Sequence, residues 1–325
     1  MKKTRIWPEP KVVVIGGGSG VSTILPGIKE YTSKLTAIIT VSDDGGSTGR
    51  LREDLGIIAP GDLRNCLVSL ANTDEEMRQL FDYRFEKGEL KGHSFGNLFI
   101  AAMSDIYKDF GKAIYKAAEI LTITGKVLPI TIENTELVAE LENGELVVGE
   151  SIIPEEVSKQ KSKINRVHLK PRVVEIFEDA RHDIENADII ILGPGSLYTS
   201  IMPNLLAKDM TELIKNSKAK VYYVVNVVTQ KGETDNYTVK DHYDAIIKHA
   251  NDNIIDAVIV NKEIVNDEIL EKYNSVESKL VSFPESDREF FKKEGIKVIE
   301  DDIIEIIDSK IRHDADKLSG LIFSI

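Results

Sequence analysis

The chain has 325 residues, of which 42% are hydrophobic and 29% are charged, as in an ordinary globular protein with one large domain or two small ones. The net charge of −13 argues against a face that binds duplex nucleic acid, because such a face needs clustered Lys and Arg. A single cysteine, Cys66, excludes an internal disulfide and a cysteine-based zinc site. We see neither a signal peptide nor an apolar run of roughly 18 residues, and therefore expect a cytoplasmic protein.

Short apolar runs alternate with amphipathic segments along the chain. This alternation predicts buried parallel strands separated by helices, and hence an α/β fold with a doubly wound sheet. The predicted strands cover residues 12–15, 35–41, 127–131, 189–192, 221–225, 257–260 and 279–283. The predicted helices cover residues 63–70 with Asp62 as N-cap, 77–85, 97–110, 112–121 and 239–250, with Gly111 separating two of them.

One segment departs from this alternation. Residues 137–141 and 145–149 are apolar-rich runs on either side of Asn143-Gly144, a dipeptide that favours the tight turn of a β-hairpin. The polar, lysine-rich stretch that follows continues to about Pro171. We therefore predict a small β insertion over residues 132–171. It interrupts a single domain that spans 1–325 and includes a short N-terminal extension over 1–10.

A glycine-rich turn, Gly16-Gly17-Gly18-Ser19-Gly20, follows the first predicted strand and precedes a helix. Glycines let the backbone approach a ligand closely, and the free N–H groups of a helix start attract phosphate. No Gly-Lys-Ser/Thr triplet of a P-loop occurs. Val21 stands where a dinucleotide fingerprint requires glycine, which disfavours an NAD-dependent dehydrogenase, and it also excludes a nucleophile elbow at Ser19. The turn predicts phosphate binding, with a strand–helix connection that binds nothing as the alternative.

Polar residues also follow the second predicted strand, over residues 41–50. Ligands of open parallel sheets bind outside the carboxyl ends of the strands, so the pair Asp43 and Asp44 could grip a ribose, a metal ion or an attacking hydroxyl. Asp and Gly are also turn formers, and a solvated turn is the alternative. Asp62 is equally well explained as a helix cap or as a site residue, and Asn65 falls in the first turn of the same helix.

Four further positions extend the candidate site. His93 could act as an acid, a base or a phosphate donor, although a lone His is more often structural. The segment Gly193-Pro194-Gly195-Ser196 repeats the order of strand, glycine turn and hydroxyl, so two such turns predict one anionic ligand between them. Asn226 follows the predicted strand 221–225. Arg312 could clamp a diphosphate through two N–H groups, or it could belong to a solvated charge run in the tail.

In combination these motifs resemble the gluconeogenesis factor (YvcK-like) family of the CofD-like superfamily, which is named for 2-phospho-L-lactate transferase. The resemblance rests on residues 14–20, 41–49, 92–97, 193–198 and 311–314, and it extends from about Lys11 to the end of the chain. It implies a cytoplasmic, three-layer Rossmann-like protein with a mostly parallel sheet flanked by helices. YvcK-like members bind UDP-sugars such as UDP-N-acetylglucosamine and support cell shape and cell-wall synthesis during gluconeogenic growth.

This resemblance implies a non-catalytic regulator that binds a UDP-sugar. The alternative is a CofD-type transferase that moves a phospholactyl-like group from a nucleotide diphosphate donor to an acceptor hydroxyl, with Asp44 and Asp62 as catalytic residues and Mg²⁺ as a cofactor. The predicted partners are a nucleotide sugar, a protein of cell-wall precursor synthesis and further copies of the chain, with neither nucleic acid nor a membrane. The predicted ligand-binding residues are Gly16, Gly17, Gly18, Ser19, Gly20, Asp43, Asp44, Asn65, His93, Asn97, Gly193, Gly195, Ser196, Leu197, Asn226, Tyr273 and Arg312.

Overall fold

The computed structural model describes residues 8–262, 265, 270–271, 273, 278–307 and 310–325. Its strands are, in chain order, β1 (Val12–Gly16), β2 (Leu35–Ile39), β3 (Lys126–Pro129), β4 (Glu136–Leu141), β5 (Leu146–Val148), β6 (Ile164–Lys170), β7 (Ile189–Leu192), β8 (Lys220–Val224), β9 (Ala257–Asn261), β10 (Lys297–Asp301), β11 (Ile304–Ile307) and β12 (Lys310–His313).

Helices surround these strands. The α-helices of the described residues are α1 (Gly18–Ile28), α2 (Gly46–Leu55), α3 (Gly61–Leu70), α4 (Glu75–Asp82), α5 (Phe95–Tyr107), α6 (Phe110–Ile120), α7 (Ile153–Gln160), α8 (Glu178–Glu185), α9 (Met202–Leu205), α10 (Met210–Asn216), α11 (Val239–Ala250), α12 (Glu285–Glu294) and α13 (Ala315–Ile322). None of these described helices combines the length and the hydrophobicity that crossing a bilayer requires.

Seven strands form the central sheet in the order β10-β9-β8-β7-β1-β2-β3, and every neighbouring pair is parallel. The chain adds β2 and β3 on one side of β1 and later adds β7 to β10 on the other side. The winding therefore reverses between β1 and β7. At such a reversal the loops after the two strands diverge and leave a crevice at the carboxyl edge of the sheet. Both predicted glycine turns begin there.

The core lies on both faces of this sheet. Val13 and Ile15 of β1 belong to one buried apolar cluster, whereas Val12 and Val14 belong to another. Successive side chains of a strand point to opposite faces, so a strand that is apolar at every position must be covered on both. The predicted three-layer, Rossmann-like α/β architecture is confirmed.

A small antiparallel sheet of order β5-β4-β6 forms the predicted insertion. Its inward positions Leu137, Ala139 and Leu141 are buried in the same cluster as Val13 and Ile15, which attaches the insertion to the main sheet. The predicted hairpin is confirmed as β4 and β5. A second hairpin, β11 with β12, pairs Glu305 with Arg312 and was not predicted from the sequence.

Two predicted helix boundaries were wrong. Helix α3 begins at Gly61 with Pro60 at the N-cap position, so Asp62 is its second residue and not its cap. The break between α5 and α6 lies at Lys108, which adopts a left-handed backbone with φ of 52°, and at Asp109, whose side chain caps α6. Gly111 lies inside α6 instead of separating the helices. An aspartate cap at the helix start replaces the glycine break that the pattern indicated.

Two further expectations differ from the structure. Residues 41–50, for which a solvated turn was the alternative to a binding segment, already contain the start of α2 at Gly46. The segment 279–283 is not a strand of the sheet. Leu280 and Ser282 form only isolated bridges, and the position beside β9 is taken by β10 instead. Local apolar content does not distinguish residues 279–283 from β10, because the packing of the whole sheet decides which segment pairs with β9.

Because β1 lies inside the central sheet, truncating its buried Ile15 side chain should destabilise the fold strongly. Ile15→Ala should lower the free energy of unfolding by about 3–4 kcal/mol, because the fully buried side chain leaves a cavity in a closely packed layer. Urea denaturation of the purified chain measures this loss. Ile106→Ala is the matched control, since 69% of Ile106 is exposed on α5 and its truncation should cost under about 0.5 kcal/mol. Equal losses in the two variants would contradict the assignment of β1 to the core.

Candidate functional site

The first glycine turn leads directly into α1. The first α1 residue whose N–H bonds a backbone carbonyl is Val21, which donates to Gly17 at 3.1 Å. The N–H groups of Gly18, Ser19 and Gly20 therefore have no acceptor within the helix. Gly18 donates to the carboxylate of Asp62 on α3. The two N–H groups that follow, at Ser19 and Gly20, lie at the wall of an open groove.

Close packing explains two of the glycines. A Cβ atom on Gly18 would overlap Asp62, and one on Gly20 would overlap the carbonyl of Pro194 in the second glycine turn. The two turns therefore touch across the reversal between β1 and β7. Any side chain at Gly20 would push them apart, since neither backbone can yield without disturbing its strand.

The groove between the turns has a volume of about 340 Å³. None of its described lining residues carries a carboxylate, although the whole chain has a net charge of −13. Main-chain N–H groups, hydroxyls and amides supply hydrogen-bond donors, and Arg312 supplies positive charge. This composition favours an anionic ligand. The lining residues are Ser19, Gly20, Thr23, Pro194, Gly195, Ser196, Asn226, Val227, Val228, Gln230, Ile311, Arg312 and His313.

The second turn is held by the loop that follows β8. The N–H of Gly195 donates to the side-chain oxygen of Asn226 at 3.2 Å. The amide nitrogen of Asn226 donates to the oxygen of Gln230 at 3.4 Å, and the amide nitrogen of Gln230 donates to the hydroxyl of Ser196 at 2.6 Å. Two side-chain amides thus connect the last two residues of the turn, Gly195 and Ser196, to the loop after β8.

Strand β12 delivers Arg312 to the groove. Its neighbours Ile311 and His313 are buried, whereas Arg312 is exposed, as the alternation of a strand requires. Burial lowers the pKa of His313 to about 4, so the imidazole is neutral near pH 7. The hydroxyl of Tyr273 accepts the N–H of Ile311 at 2.8 Å. Tyr273 is not among the described lining residues of the groove, and its hydroxyl holds the strand that carries Arg312.

Carboxyl groups gather on the opposite side of the first turn, in an acidic cluster formed by Asp43, Asp44, Asp62 and Glu150. Burial raises the pKa of Asp62 to about 6, the hydrogen bond from Gly18 opposes this rise, and the charge of Asp43 adds to it. Burial raises the pKa of Glu150 well above its usual value, and the three aspartates add to this effect, whereas a hydrogen bond from Ser42 opposes it. Burial is thus the larger cause and repulsion among the carboxylates the smaller one, and both disfavour a negative charge on Glu150.

The insertion contributes Glu150 to this cluster and is fixed there by hydrogen bonds. The hydroxyl of Ser42 donates to Glu150 at 2.7 Å, and the N–H of Ser151 donates to Asp44 at 2.8 Å. The guanidinium of Arg52 donates to three carbonyls, those of Ser42, Asp43 and Thr135. The carboxyl edge of β2 and the insertion are thereby joined. Nothing in the sequence pattern marked Glu150, because it follows a hairpin more than 100 positions after β2.

His93 and Asn97 lie near the N-terminal starts of α2 and α5, outside the groove lining. The Nδ1 of His93 is 3.0 Å from the hydroxyl of Ser47, to which the amide of Asn97 donates at 3.4 Å. Burial lowers the pKa of His93, and the charge of Arg50 lowers it further. These contacts connect two helices and give His93 a packing role.

The groove thus brings together part of the predicted set. Ser19, Gly20, Gly195, Ser196, Asn226 and Arg312 all line it. The remaining predicted residues lie elsewhere: within the packed turns, in the acidic cluster, or at the helix starts beyond it. Leu197 is fully buried in the core. The sequence reasoning missed Thr23 and Gln230, although helical spacing from Ser19 and the polar loop after β8 were signals for them.

A metal cofactor gains no support from this geometry. The described residues contain no group of three or more His, Cys, Asp or Glu side chains that could hold a metal ion. Main-chain N–H groups already donate to one oxygen each of Asp43 and Asp44, and the hydroxyl of Ser42 donates to Glu150. The described carboxylates therefore do not form a ready site for Mg²⁺.

Comparisons with known proteins agree with this architecture. Residues 12–304 match the family described as 2-phospho-L-lactate transferase CofD. The whole chain is 50% identical to a protein of Thermoanaerobacterium thermosulfurigenes and covers 99% of it. It is 43% identical to the gluconeogenesis factor of Bacillus subtilis strain 168, with 98% of each chain covered. A crystal structure from Bacillus halodurans, 43% identical, covers 97% of this chain and 99% of its own with a TM-score of 0.92. The family resemblance expected from the sequence is confirmed.

The buried carboxyl of Asp62 predicts a pH-dependent stability difference. Its pKa is about 6 in the folded chain, above the usual 3.8, so the unfolded chain releases this proton at a lower pH than the folded chain does. Wild type therefore loses stability progressively as the pH rises from about 4 to about 6, and the loss stays constant above that range. Asp62→Asn keeps an acceptor for Gly18 and removes the charge. Its stability relative to wild type should therefore rise between pH 4 and pH 6 and reach a plateau of about 3 kcal/mol above pH 7.

Urea denaturation over pH 4 to 8 measures this difference. Asp105→Asn is the matched control, since the Asp105 side chain is 79% exposed and its loss should give a small, nearly constant difference. A flat difference for Asp62→Asn as well would show that Asp62 is not shielded as described.

Proposed function

The chain belongs to the 2-phospho-L-lactate transferase CofD family, and we propose that within it this protein is a gluconeogenesis factor that binds a UDP-sugar, such as UDP-N-acetylglucosamine, without catalysing a reaction. The observation that carries the proposal is the groove between the two glycine turns. It lies at the reversal point of the sheet, and its described lining offers donors and one Arg but no carboxylate.

The shape of the groove supports a nucleotide diphosphate. Its volume of about 340 Å³ falls within the range of small-molecule sites. The N–H groups of Ser19 and Gly20 and the guanidinium of Arg312 are suited to the diphosphate. Val227, Val228 and Ile311 supply an apolar wall for the base.

The regulatory role follows from the names of the full-length relatives and from the family resemblance. We propose that the protein acts in the cytoplasm, where it senses the nucleotide sugar and supports cell shape and cell-wall precursor supply during gluconeogenic growth. A protein partner in precursor synthesis and assembly into a homo-oligomer are parts of the same proposal. The names gluconeogenesis factor and CofD support the family-level part of it.

Calorimetric titration with UDP-N-acetylglucosamine tests the proposed ligand. Wild type should bind, and Arg312→Ala should weaken binding by about tenfold or more, because a charge-assisted contact to phosphate is lost. Arg172→Ala is the control, since Arg172 is exposed on the insertion side and outside the lining of the groove. No heat of binding to wild type, or unchanged binding by Arg312→Ala, would refute the proposed site.

A second candidate function is the transferase reaction. The observation that favours it is the acidic cluster beside the first turn, where a separate cleft of about 720 Å³ opens next to Asp44 and could admit an acceptor. In this reaction Asp62, with its raised pKa of about 6, or Asp44 would orient the acceptor hydroxyl and take its proton as that oxygen attacks the phosphorus of the transferred group. The bond from this phosphorus to the bridging oxygen of the diphosphate breaks, and the rest of the nucleotide leaves with that oxygen on its remaining phosphate.

Incubation with a GDP-linked phospholactyl donor and a deazaflavin acceptor tests the transferase. A regulator should show no product, whereas a transferase should form it and lose at least about a hundredfold in rate on Asp44→Asn. Asp105→Asn again controls for loss of a surface carboxylate. Product formation that survives Asp44→Asn but not Asp62→Asn would assign the base to Asp62.

A further inference from the structure

Among the lining residues that the structure describes, Gln230 is the side chain that connects the loop after β8 to the hydroxyl of Ser196 in the second glycine turn. Its backbone is fixed in a turn, since its N–H donates to the hydroxyl of Thr234 at 2.9 Å and its carbonyl accepts the N–H groups of Glu233 and Thr234. A side chain that starts from so constrained a backbone is well suited to orient other groups.

The direction of each hydrogen bond in this connection follows from one unambiguous donor. The N–H of Gly195 can only donate, so Asn226 must face it with oxygen and must turn its nitrogen towards Gln230. Gln230 must then accept with its oxygen and face Ser196 with its nitrogen. The hydroxyl of Ser196 receives that hydrogen bond at 2.6 Å, and its own proton is free to point elsewhere.

We propose that Gln230 is a positioning residue that orients the hydroxyl of Ser196 so that its proton points towards an anionic ligand in the groove. The chain Gly195, Asn226, Gln230, Ser196 is called the amide relay below. This inference rests on the proposed function, because it assumes that a phosphate-bearing ligand occupies the groove.

The relay explains how a groove with few charges selects an anion. A free serine hydroxyl can either donate or accept, so it would tolerate a ligand donor as readily as a phosphate oxygen. A hydroxyl that already accepts from Gln230 has one acceptor lone pair fewer, and its proton points away from Gln230. Together with the N–H groups of Ser19 and Gly20 and the guanidinium of Arg312, this orientation adds a donor to the wall of the groove. A phosphate oxygen at this place would gain a hydrogen bond that a ligand N–H or O–H group could not gain from the same proton.

Gln230→Glu reverses the relay with almost no change in shape. The introduced carboxylate accepts the hydroxyl proton of Ser196 and adds a negative charge beside the ligand. At pH 8 we expect affinity to fall by about tenfold or more. Near pH 4.5 the loss should shrink, because a protonated carboxyl can again donate to Ser196. The introduced charge also repels an anionic ligand directly, so the neutral variants of the double-mutant cycle below decide whether the effect passes through Ser196.

A double-mutant cycle tests whether the effect passes through Ser196. Ser196→Ala should weaken binding on its own, and Gln230→Ala should weaken it by a similar factor. The double variant should bind no worse than the weaker single variant, because both remove the same contact. Losses that multiply would overturn the relay. Gln160→Glu on α7 is the matched control, since that side chain already accepts from Asn143 and lies outside the groove lining, so its affinity should equal that of wild type.

Titrating every variant with both UDP-N-acetylglucosamine and inorganic pyrophosphate separates the two proposals. If wild type binds both probes and Gln230→Glu loses both, the relay and the proposed function stand. If wild type binds only pyrophosphate and the variant loses it, the relay stands and the UDP-sugar proposal fails. If wild type binds and the variant matches it within twofold at pH 8, the relay is overturned while the function stands. If wild type binds neither probe, both are overturned.

Discussion

The contact between Gly20 and the carbonyl of Pro194 is the constraint on which the site depends. It occurs because β1 and β7 are neighbouring parallel strands, so the turns that follow them begin side by side at the same edge of the sheet. With no side chain at Gly20, the start of α1 lies directly against the second turn. Only this approach places the N–H groups of α1 and the hydroxyl of Ser196 around one groove, within reach of the same ligand group. The positions of the groove side chains therefore depend on the packing of these two backbone segments.

Opposite charges are separated on the two sides of this contact. The carboxyl groups of the acidic cluster lie on the β2 side, where Asp62 accepts a hydrogen bond from the N–H of Gly18. Arg312 lies on the other side, with β8 and β12. The hydrogen bond from Gly18 stabilises ionised Asp62, yet burial and the nearby aspartate outweigh it and raise the pKa of Asp62 to about 6. The first turn therefore offers its later N–H groups, not its earlier ones, to the groove.

The sequence predicted the features that depend on local pattern. The apolar runs of β1, β2 and β7 identified the central strands, and parallel strands placed both glycine turns at one edge of the sheet. Features that depend on distant contacts could not be predicted. Glu150 reaches the acidic cluster only because the insertion folds back onto β2. Gln230 belongs to the groove because its side-chain amide donates a hydrogen bond to Ser196, which is 34 positions earlier in the chain. The β11–β12 hairpin is short and half-exposed, so its pattern was too weak to distinguish from a solvated tail.

Recognition in this groove must depend on geometry at short range. The chain charge of −13 gives an anionic ligand no net attraction at long range, and the field of the exposed Arg312 is screened beyond about 8–10 Å at physiological salt. Neutral N–H, hydroxyl and amide donors act only in direct contact, where the absence of carboxylates among the described lining residues leaves them unopposed. In the proposed function, selectivity for a phosphate rests on the direction in which each donor is held, and the packed turns and the loop after β8 hold these donors.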